Sequence, residues 1–281
     1  MTLADFLAAN LKDGAVIVRI ADVQGSTPRE AGATMIVSAR GSAGTIGGGQ
    51  LEFHCLDLAR ILLDSGGPQQ VADILLGPQM GQCCGGRVRV AMERATARHL
   101  GTLRQDEAKA AAERPQVLIF GAGHTGKALA CSLALLPIAV TVIDDRPGQF
   151  ADVPEAITCL HLDDSETAIA AARAGSAFVV LTHSHALDYR LAEAALLRGD
   201  AAYVGMIGSG TKRARFEASF RRRHPGSDAL RHLTCPIGGS DVHDKRPAVI
   251  AALTSAELVR CLLGRKASKR ARTPNRHDAA A

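Results

Sequence analysis

Hydrophobic spacing in the first 113 residues switches repeatedly between the helical and the strand period. Apolar residues recur at helical spacing over residues 3–11, and again over residues 50–63, directly after a run of glycines. Short apolar or alternating runs predict strands at residues 15–20, 33–37, 71–76 and 87–92. Residues 96–113 are rich in Ala, Glu and Arg and precede a proline, which predicts a helical linker. The pattern predicts an N-terminal α+β domain that includes this linker and covers residues 1–113.

From residue 114 onward, predicted strands alternate with predicted helices. The strands fall at residues 117–120, 139–143, 177–181 and 202–206. Helices are predicted from Thr125, over residues 186–198, and from Pro247 to a stop at Gly264. Such alternation is typical of parallel strands joined by crossover helices. We therefore expect a Rossmann-like domain with a parallel sheet over residues 114–264, and an α/β fold class for the chain.

The last residues, 265–281, are basic and show no apolar periodicity, so we expect a disordered tail. The formal net charge of the chain is only +5, and part of it lies in this tail. Aromatic residues make up 3% of the chain, too few for the stacking platforms that bind single-stranded nucleic acid. No nucleic-acid partner is expected.

The N-terminal residues lack the basic and apolar regions of a signal peptide, and no apolar run reaches the roughly 20 residues of a membrane span. The 7 cysteines match neither a disulfide framework nor the spacing of a zinc site. Three of them, Cys55, Cys131 and Cys261, fall in apolar helical patterns, where core packing is expected. These features favour a cytoplasmic protein with reduced thiols and no membrane association.

A glycine fingerprint opens the second domain. Gly121, Gly123 and Gly126 follow the G-x-G-x-x-G order directly after an apolar strand and directly before a helix. The first glycine permits a tight turn, the second lets the backbone approach a diphosphate, and the third lets helix and strand pack closely. His124 either contacts a phosphate or faces solvent at the start of the helix. We predict a nucleotide or phosphate site at this loop.

An acidic residue follows the next predicted strand. Asp144 lies about 20 positions beyond the glycines, where dinucleotide-binding folds carry a carboxylate for a ribose hydroxyl. Alternatively, Asp144 and Asp145 only end the strand in a polar turn, and Arg146 contacts a phosphate. Asp144 is the candidate ribose-binding residue.

Two histidines, His183 and His185, lie in a loop after a later strand. In an extended loop they point in opposite directions and cannot easily bind one metal together, so polar contacts with a ligand are favoured and the identity of any metal stays open. The loop at residues 205–212 is also rich in hydrogen-bond donors. Both loops follow parallel strands, where open sheets bind their ligands.

The first domain contains two further glycine-rich loops. The segment GTIGGG at residues 44–49 offers unobstructed backbone amides before a helix, which suits a phosphate or a flat heterocycle better than an ordinary turn. Glu52 lies in the first turn of that helix, where a negative charge is favourable in any case. The segment QCCGG at residues 82–86 places Cys83 and Cys84 where a thiolate can meet a ligand or a sulfur-transfer partner, unless these thiols are only apolar fillers.

Together these segments resemble the XdhC family of xanthine dehydrogenase accessory proteins. The resemblance runs from about residue 17 to residue 257 and rests on seven motifs in order, GSTPR at 25–29, GTIGGGQLE at 44–52, GQCCGG at 81–86, GAGHTGKAL at 121–129, DDR at 144–146, THSH at 182–185 and GMIGS at 205–209. One departure is Pro236-Ile-Gly238, which is followed by Gly239 and Ser240 where the family usually has a large aliphatic residue.

The resemblance implies a cytoplasmic carrier without catalytic residues. Such a protein binds the molybdenum cofactor (molybdopterin), protects it, supports its sulfuration by a cysteine desulfurase and inserts it into a xanthine dehydrogenase-type enzyme. A homodimer is also implied. Carried over, the residues near the pterin would be Gly47, Gly48, Gly49, Gln50, Glu52, Cys83, Cys84, Gly85 and Gly86. The Rossmann loop would be available for a nucleotide or the cofactor's phosphate.

Two other functions compete with this one. An NAD(P)-dependent oxidoreductase would explain the Rossmann domain, with His183 or His185 as the proton-transfer residue, but it leaves the triple-glycine and cysteine loops without a role. A pure interaction protein would use the Rossmann fold only as a scaffold and dock a partner through the basic tail.

Overall fold

The computed structural model describes residues 1–77 and 85–264. It divides the chain into two compact units, Met1–Ala112 and the chain from Glu113 onward. The predictions for Cys83, Cys84 and the basic tail at residues 265–281 lie outside the described residues. Among the residues that are described, no helix is long and apolar enough to cross a membrane.

The first unit is a five-stranded antiparallel sheet with helices on both faces, in the strand order β3-β2-β1-β5-β4. Its elements are α1 (Leu3–Asn10), β1 (Ala15–Gln24), β2 (Thr34–Ser38), β3 (Gly41–Gly44), α2 (Gly49–Ser65), β4 (Gln69–Leu75), β5 (Arg87–Arg94) and α3 (Ala97–Ala112).

Alternation along β1 divides the core of this unit into two layers. Val16, Val18 and Ile20 point to one face and pack with the buried residues of α2. Ala15 points to the other face, where it packs with residues of α1 and α3 such as Leu7 and Leu103. Because successive strand residues face opposite sides, one strand anchors both layers.

The second unit is a six-stranded parallel sheet. Its elements are β6 (Gln116–Phe120), α4 (His124–Ala134), β7 (Ala139–Asp144), β8 (Thr158–His161), α5 (Glu166–Ala171), β9 (Ala177–Val180), α6 (His185–Leu197), β10 (Tyr203–Met206), α7 (Gly210–Arg223), β11 (Leu233–Thr234) and α8 (Pro247–Leu262), with a 3₁₀ helix Ala229–His232 before β11.

Read from one edge, the sheet order is β8-β7-β6-β9-β10-β11. This is the 3-2-1-4-5-6 order of dinucleotide-binding Rossmann folds, in which the ligand lies outside the carboxyl ends of the strands where the order reverses. Here that point lies between β6 and β9. One face of the sheet is covered by α4 and α8, and the other by α5, α6 and α7.

The predicted fold class is confirmed, with an α+β unit followed by a Rossmann-like unit around a parallel sheet. The sequence pattern did not predict β3, α5, α7 or β11. The many arginines of helix α7 hide its apolar pattern in the sequence. On its buried side, Lys212, Phe216 and Phe220 recur at helical spacing. Strand β3 contains two glycines, pairs with β2 and packs Ala43 against the core cluster of α1 and α3.

Candidate functional site

The three fingerprint glycines differ in what surrounds them. A side chain at Gly121 would meet the Leu181 carbonyl oxygen at 2.3 Å, and one at Gly126 would meet the Gly121 carbonyl oxygen at 2.0 Å. These two glycines therefore let strand, loop and helix approach closely. A side chain at Gly123 would meet none of the residues that the structure describes within 4 Å. The middle glycine faces open space, where a ligand can approach the backbone.

Helix α4 begins directly at this open position, with Gly123 as its N-cap. Its first intrahelical hydrogen bond joins the Lys127 amide to the Gly123 carbonyl at 2.9 Å. The amides of the preceding turn have no acceptor within the helix and lie at the positive end of its dipole. The loop and helix can thus hold an anionic oxygen, and His124 lies exposed beside it.

Asp144 ends β7 and is buried, with 4% of its surface exposed. Its carboxylate accepts the Ala122 amide at 2.7 Å, the Arg146 amide at 2.9 Å, and the Arg146 Nε and Nη2 groups at 3.0 Å each. Burial raises the pKa of this carboxyl, but the hydrogen bonds from Arg146 and Ala122 outweigh it and lower the pKa to about 2. Both carboxylate oxygens accept hydrogen bonds from the glycine loop and Arg146. These bonds do not test the ribose contact of Asp144, which stays a prediction.

His183 and His185 are separated by the start of a helix. His183 Nδ1 lies 3.6 Å from Asp145 Oδ1, so the loop after β9 meets the loop after β7. His185 is the first residue of α6, which Ser184 caps by accepting the Leu187 amide at 3.5 Å. In the described part of the chain, no group of three or more His, Cys, Asp or Glu side chains is arranged to hold a metal ion.

Sequence analysis missed a buried ion pair close to these histidines. The Lys212 ammonium, on α7, pairs with the Asp188 carboxylate, on α6, and both side chains are buried. Asp188 Oδ1 also accepts the Thr182 amide and hydroxyl, each at 2.8 Å. The sequence does contain a sign of this ion pair. Asp188 is the charged residue within an otherwise apolar helical face, and Lys212 ends the GSGTK segment.

In the first unit, Glu52 organises the triple-glycine loop. Its Oε2 accepts the Thr45 hydroxyl at 2.6 Å and the Ile46 and Gly48 amides at 3.2 and 3.1 Å. The Gly47 amide donates to the Thr45 hydroxyl at 3.1 Å. Several loop amides thus already have partners within the chain. Gln50, in the first turn of α2, is exposed.

The glycine-rich segments of this unit converge on residues 24–28. A side chain at Gly47 would lie 2.6 Å from Pro28 Cγ, and one at Gly86 would lie 2.2 Å from the Ser26 carbonyl oxygen. Gly25 in turn approaches the Gly86 Cα, which a side chain there would meet at 3.3 Å. The GSTPR segment therefore touches both the triple-glycine loop and the end of the QCCGG segment. It belongs to the same candidate site, although it did not enter the predicted set of site residues.

The cysteine predictions meet different outcomes. Cys55 is buried in α2, and burial raises the pKa of its thiol to about 12, so it stays protonated as a core residue. Cys131 is exposed, and the expectation that it fills the core is wrong. Its position on α4 fits the apolar helical pattern of the sequence but faces away from the packed side.

Comparison with known families decides what kind of protein carries these loops. A model described as the XdhC Rossmann domain matches residues 117–258, and one described as the XdhC and CoxI family matches residues 9–74. The chain belongs to the XdhC family. The two matches fall on the two structural units, so the XdhC chain combines an N-terminal part and a Rossmann part of that family.

Relatives of this XdhC chain include the uncharacterized protein YqeB of Escherichia coli strain K12, which is 27% identical over 252 residues. That alignment covers 86% of this chain and 42% of YqeB, so the chain spans about two fifths of its relative's length. A crystal structure of a protein described as a xanthine dehydrogenase from Bacillus halodurans matches with a TM-score of 0.77 at 19% identity, over 98% of both chains. This likeness shows a shared fold.

Proposed function

We propose that this XdhC chain is an accessory protein that binds the molybdenum cofactor, protects it, supports its sulfuration and inserts it into xanthine dehydrogenase or a related molybdenum hydroxylase. Membership of the family supports the accessory role towards xanthine dehydrogenase. The observation that carries the proposal is that Gly47 approaches Pro28 and Gly86 approaches Ser26, so both loops meet the GSTPR segment in the first unit. Backbone groups without side chains let a flat ligand approach closely, and the oxidoreductase alternative leaves these loops without a role.

Open glycine faces fit a ligand of this kind. Among the described residues, nothing lies within 4 Å of a side chain placed at Gly48 or Gly85, unlike those at Gly47 and Gly86 beside them. Each converging loop therefore has one packed glycine and one glycine with free space in front of it. A pterin is flat and rich in hydrogen-bonding atoms, so backbone amides and carbonyls without side chains suit it.

We assign Gly47, Gly48, Gly49, Gln50 and the loop of residues 83–86 to cofactor binding in the first unit. Glu52 acts there through the loop, because its carboxylate holds Thr45, Ile46 and Gly48 in place. The cofactor is cargo for this protein and supplies its redox chemistry only in the recipient enzyme. What the chain itself provides is binding, exclusion of water and delivery.

Sulfuration brings in a cysteine desulfurase as partner, and Cys83 and Cys84 are the proposed thiols at that step. A thiolate is the reactive form in sulfur transfer, and the buried thiol of Cys55 is protonated. We further propose that the protein is a cytoplasmic homodimer. The glycine fingerprint of the second unit would hold a nucleotide or the phosphate of the cofactor, through Gly121, Gly123, His124 and Gly126.

The test is anaerobic binding of molybdopterin and its molybdenum form to the full chain, followed by pterin fluorescence after oxidation and metal analysis of the same fractions. We expect saturable binding. The double variant Cys83→Ala/Cys84→Ala should lose cofactor retention or sulfuration, while Cys131→Ala, which changes an exposed thiol elsewhere, should not. Wild-type protein that binds neither form would remove the proposal.

The strand order of the second unit favours one alternative, an NAD(P)-dependent oxidoreductase. This enzyme would bind a nicotinamide dinucleotide at the glycine fingerprint and use His183 or His185 for proton transfer. Oxidation or reduction of a nicotinamide cofactor with a small substrate, lost in His185→Ala, would establish it. Binding of NAD(P) without binding of molybdopterin would point the same way.

A further inference from the structure

Two cavities flank the loop that joins β10 to α7. The first, of about 280 Å³, is lined by Thr182, His183, His185, Asp188 and Lys212. The second, of about 350 Å³, is lined largely by residues that follow β11 and by the start of α8. Ile207, Gly208 and Ser209 line both cavities. None of the fingerprint residues at 121–126 lines either one.

The floor of the first cavity is the buried pair of Lys212 and Asp188, with 8% and 1% of their side chains exposed. An ammonium group has three donors. Lys212 Nζ uses one on the Asp188 carboxylate and a second on the Ile207 carbonyl oxygen at 2.8 Å. The part of the chain that the structure describes gives no acceptor for the third. Because Lys212 lines the cavity, its remaining donor is available to an oxygen atom of a ligand that enters there.

The start of α7 adds donors on the same side. Ser209 caps this helix, and the first intrahelical bond joins the Arg213 amide to the Ser209 carbonyl at 3.0 Å. A side chain at Gly210 would meet nothing within 4 Å, so the backbone there is open. The helix dipole favours an anionic oxygen over a neutral one, and the Lys212 ammonium, whose charge Asp188 balances, adds a donor.

The second cavity differs in character. Its walls include the apolar side chains of Pro236, Ile237, Val242, Ile250 and Leu253. Small-molecule sites typically combine such a wall with a few placed polar groups. Because the two cavities share the loop of residues 207–209, one ligand can place an anionic group in the first and a flat ring in the second.

We propose that these two cavities form one binding site for a phosphorylated nitrogen heterocycle of the nucleoside monophosphate type, separate from the glycine fingerprint. The phosphate binds Lys212 and the start of α7, and the heterocycle lies against Val242 and Leu253. Asp188 is a positioning residue, because it holds the ammonium through the ion pair and the β9 loop through Thr182. The site does not depend on molybdopterin binding in the first unit.

The experiment is calorimetric titration of the full chain with AMP, adenosine and inorganic phosphate. We expect AMP to bind more tightly than either fragment. The double variant Asp188→Asn/Lys212→Gln removes both charges together, so neither is left buried and unpaired, and it should weaken AMP binding about tenfold or more. Val242→Glu changes a residue that is 43% exposed, so it should fold normally and also weaken AMP binding.

Gly123→Val is the matched control, since it blocks the glycine fingerprint instead. Unchanged AMP binding in this variant supports a separate site. Loss of AMP binding in Gly123→Val with no effect of the other two variants would overturn the proposal in favour of the fingerprint. A wild-type chain that binds no AMP, or binds it no better than inorganic phosphate or adenosine, would overturn it as well. Failure of the double variant to fold would leave Val242→Glu to decide.

Discussion

The Asp144 carboxylate accepts hydrogen bonds from both the glycine loop and Arg146. It stabilises the glycine loop and Arg146 from within the chain, and its pKa falls from the ordinary value of 3.8 to about 2. A difference of that size corresponds to about 2 kcal/mol of folding free energy. Because the folded-state pKa is the lower one, this stabilisation is complete above the ordinary pKa and is lost as the pH falls towards 2.

We therefore expect Asp144→Asn to lower the free energy of unfolding at pH 7 by about 2 kcal/mol. The difference between wild type and variant should shrink as the pH falls below about 4. Urea unfolding at several pH values measures both. Asp145→Asn is the control, because the Asp145 carboxylate forms a partly exposed ion pair with His183, and its loss should change stability little. A difference that stays constant down to pH 3 would contradict the ion-pair argument.

Gly123 and Gly126 allow ligand binding to be separated from folding. Gly126→Ala would place a methyl group 2.0 Å from the Gly121 carbonyl oxygen, so we expect a loss of stability of about 1–3 kcal/mol. Gly123 has open space and an extended backbone that any residue adopts, so Gly123→Val should cost about 1 kcal/mol or less. Thermal unfolding of both variants gives the comparison.

Gly123→Val should abolish the binding of any ligand at the glycine fingerprint, while the protein still folds. Equal destabilisation by the two substitutions would contradict the free space beside Gly123. The sequence alone predicted the close packing at Gly121 and Gly126, since the order of the glycines reports on local backbone geometry. It could not predict the Lys212–Asp188 pair, because 24 residues separate the partners along the chain and only the tertiary fold brings them together.

At the scale of elements, the junction between the triple-glycine loop and α2 depends on Glu52. Removing its carboxylate in Glu52→Ala takes away the acceptor of the Thr45, Ile46 and Gly48 groups. We expect faster amide hydrogen exchange in residues 45–48 and a loss of stability of about 1–2 kcal/mol. Exchange followed by mass spectrometry on a peptide covering the loop measures the first effect.

Asp57→Ala provides the control, since this exposed residue on the same helix forms only a surface ion pair with Arg60 at 3.5 Å. Glu52→Gln keeps an acceptor oxygen and should fall between wild type and Glu52→Ala. Exchange in the loop that is the same in all three variants would show that Glu52 contributes only helix-end charge. That simpler role was the alternative visible in the sequence.

Elements with strong apolar periodicity were predictable and weakly apolar ones were not. Helix α2 shows its buried side in Leu51, Cys55, Ala59 and Leu62, which the sequence pattern marks clearly. Strand β3 is positioned by its pairing with β2. Helix α7 is positioned by the packing of Phe216 and Phe220 in the core. Tertiary contacts of this kind override the helix or strand propensity of a segment. They leave little trace in the spacing of its apolar residues.

At the scale of the whole molecule, each unit builds its core from its own residues. The cores on the two faces of the parallel sheet draw on residues from Val117 to Leu262, and those of the first unit on residues from Ala4 to Leu103. The sequence analysis places the domain boundary at the Ala-, Glu- and Arg-rich segment that ends before Pro115, ahead of the alternating strands and helices. A fragment of residues 113–281 therefore carries a complete core of ordinary domain size.

We expect this fragment to unfold cooperatively on heating and to keep the AMP binding proposed for its two cavities. A shorter fragment of residues 113–232 is the matched control. It lacks α8, whose Ala251, Leu258 and Leu262 complete the core against α4, so its sheet would expose one apolar face and should not fold stably. Circular dichroism melts of both fragments decide the matter. If the longer fragment is also unfolded, its folding must require the first unit, and the two cores are not independent.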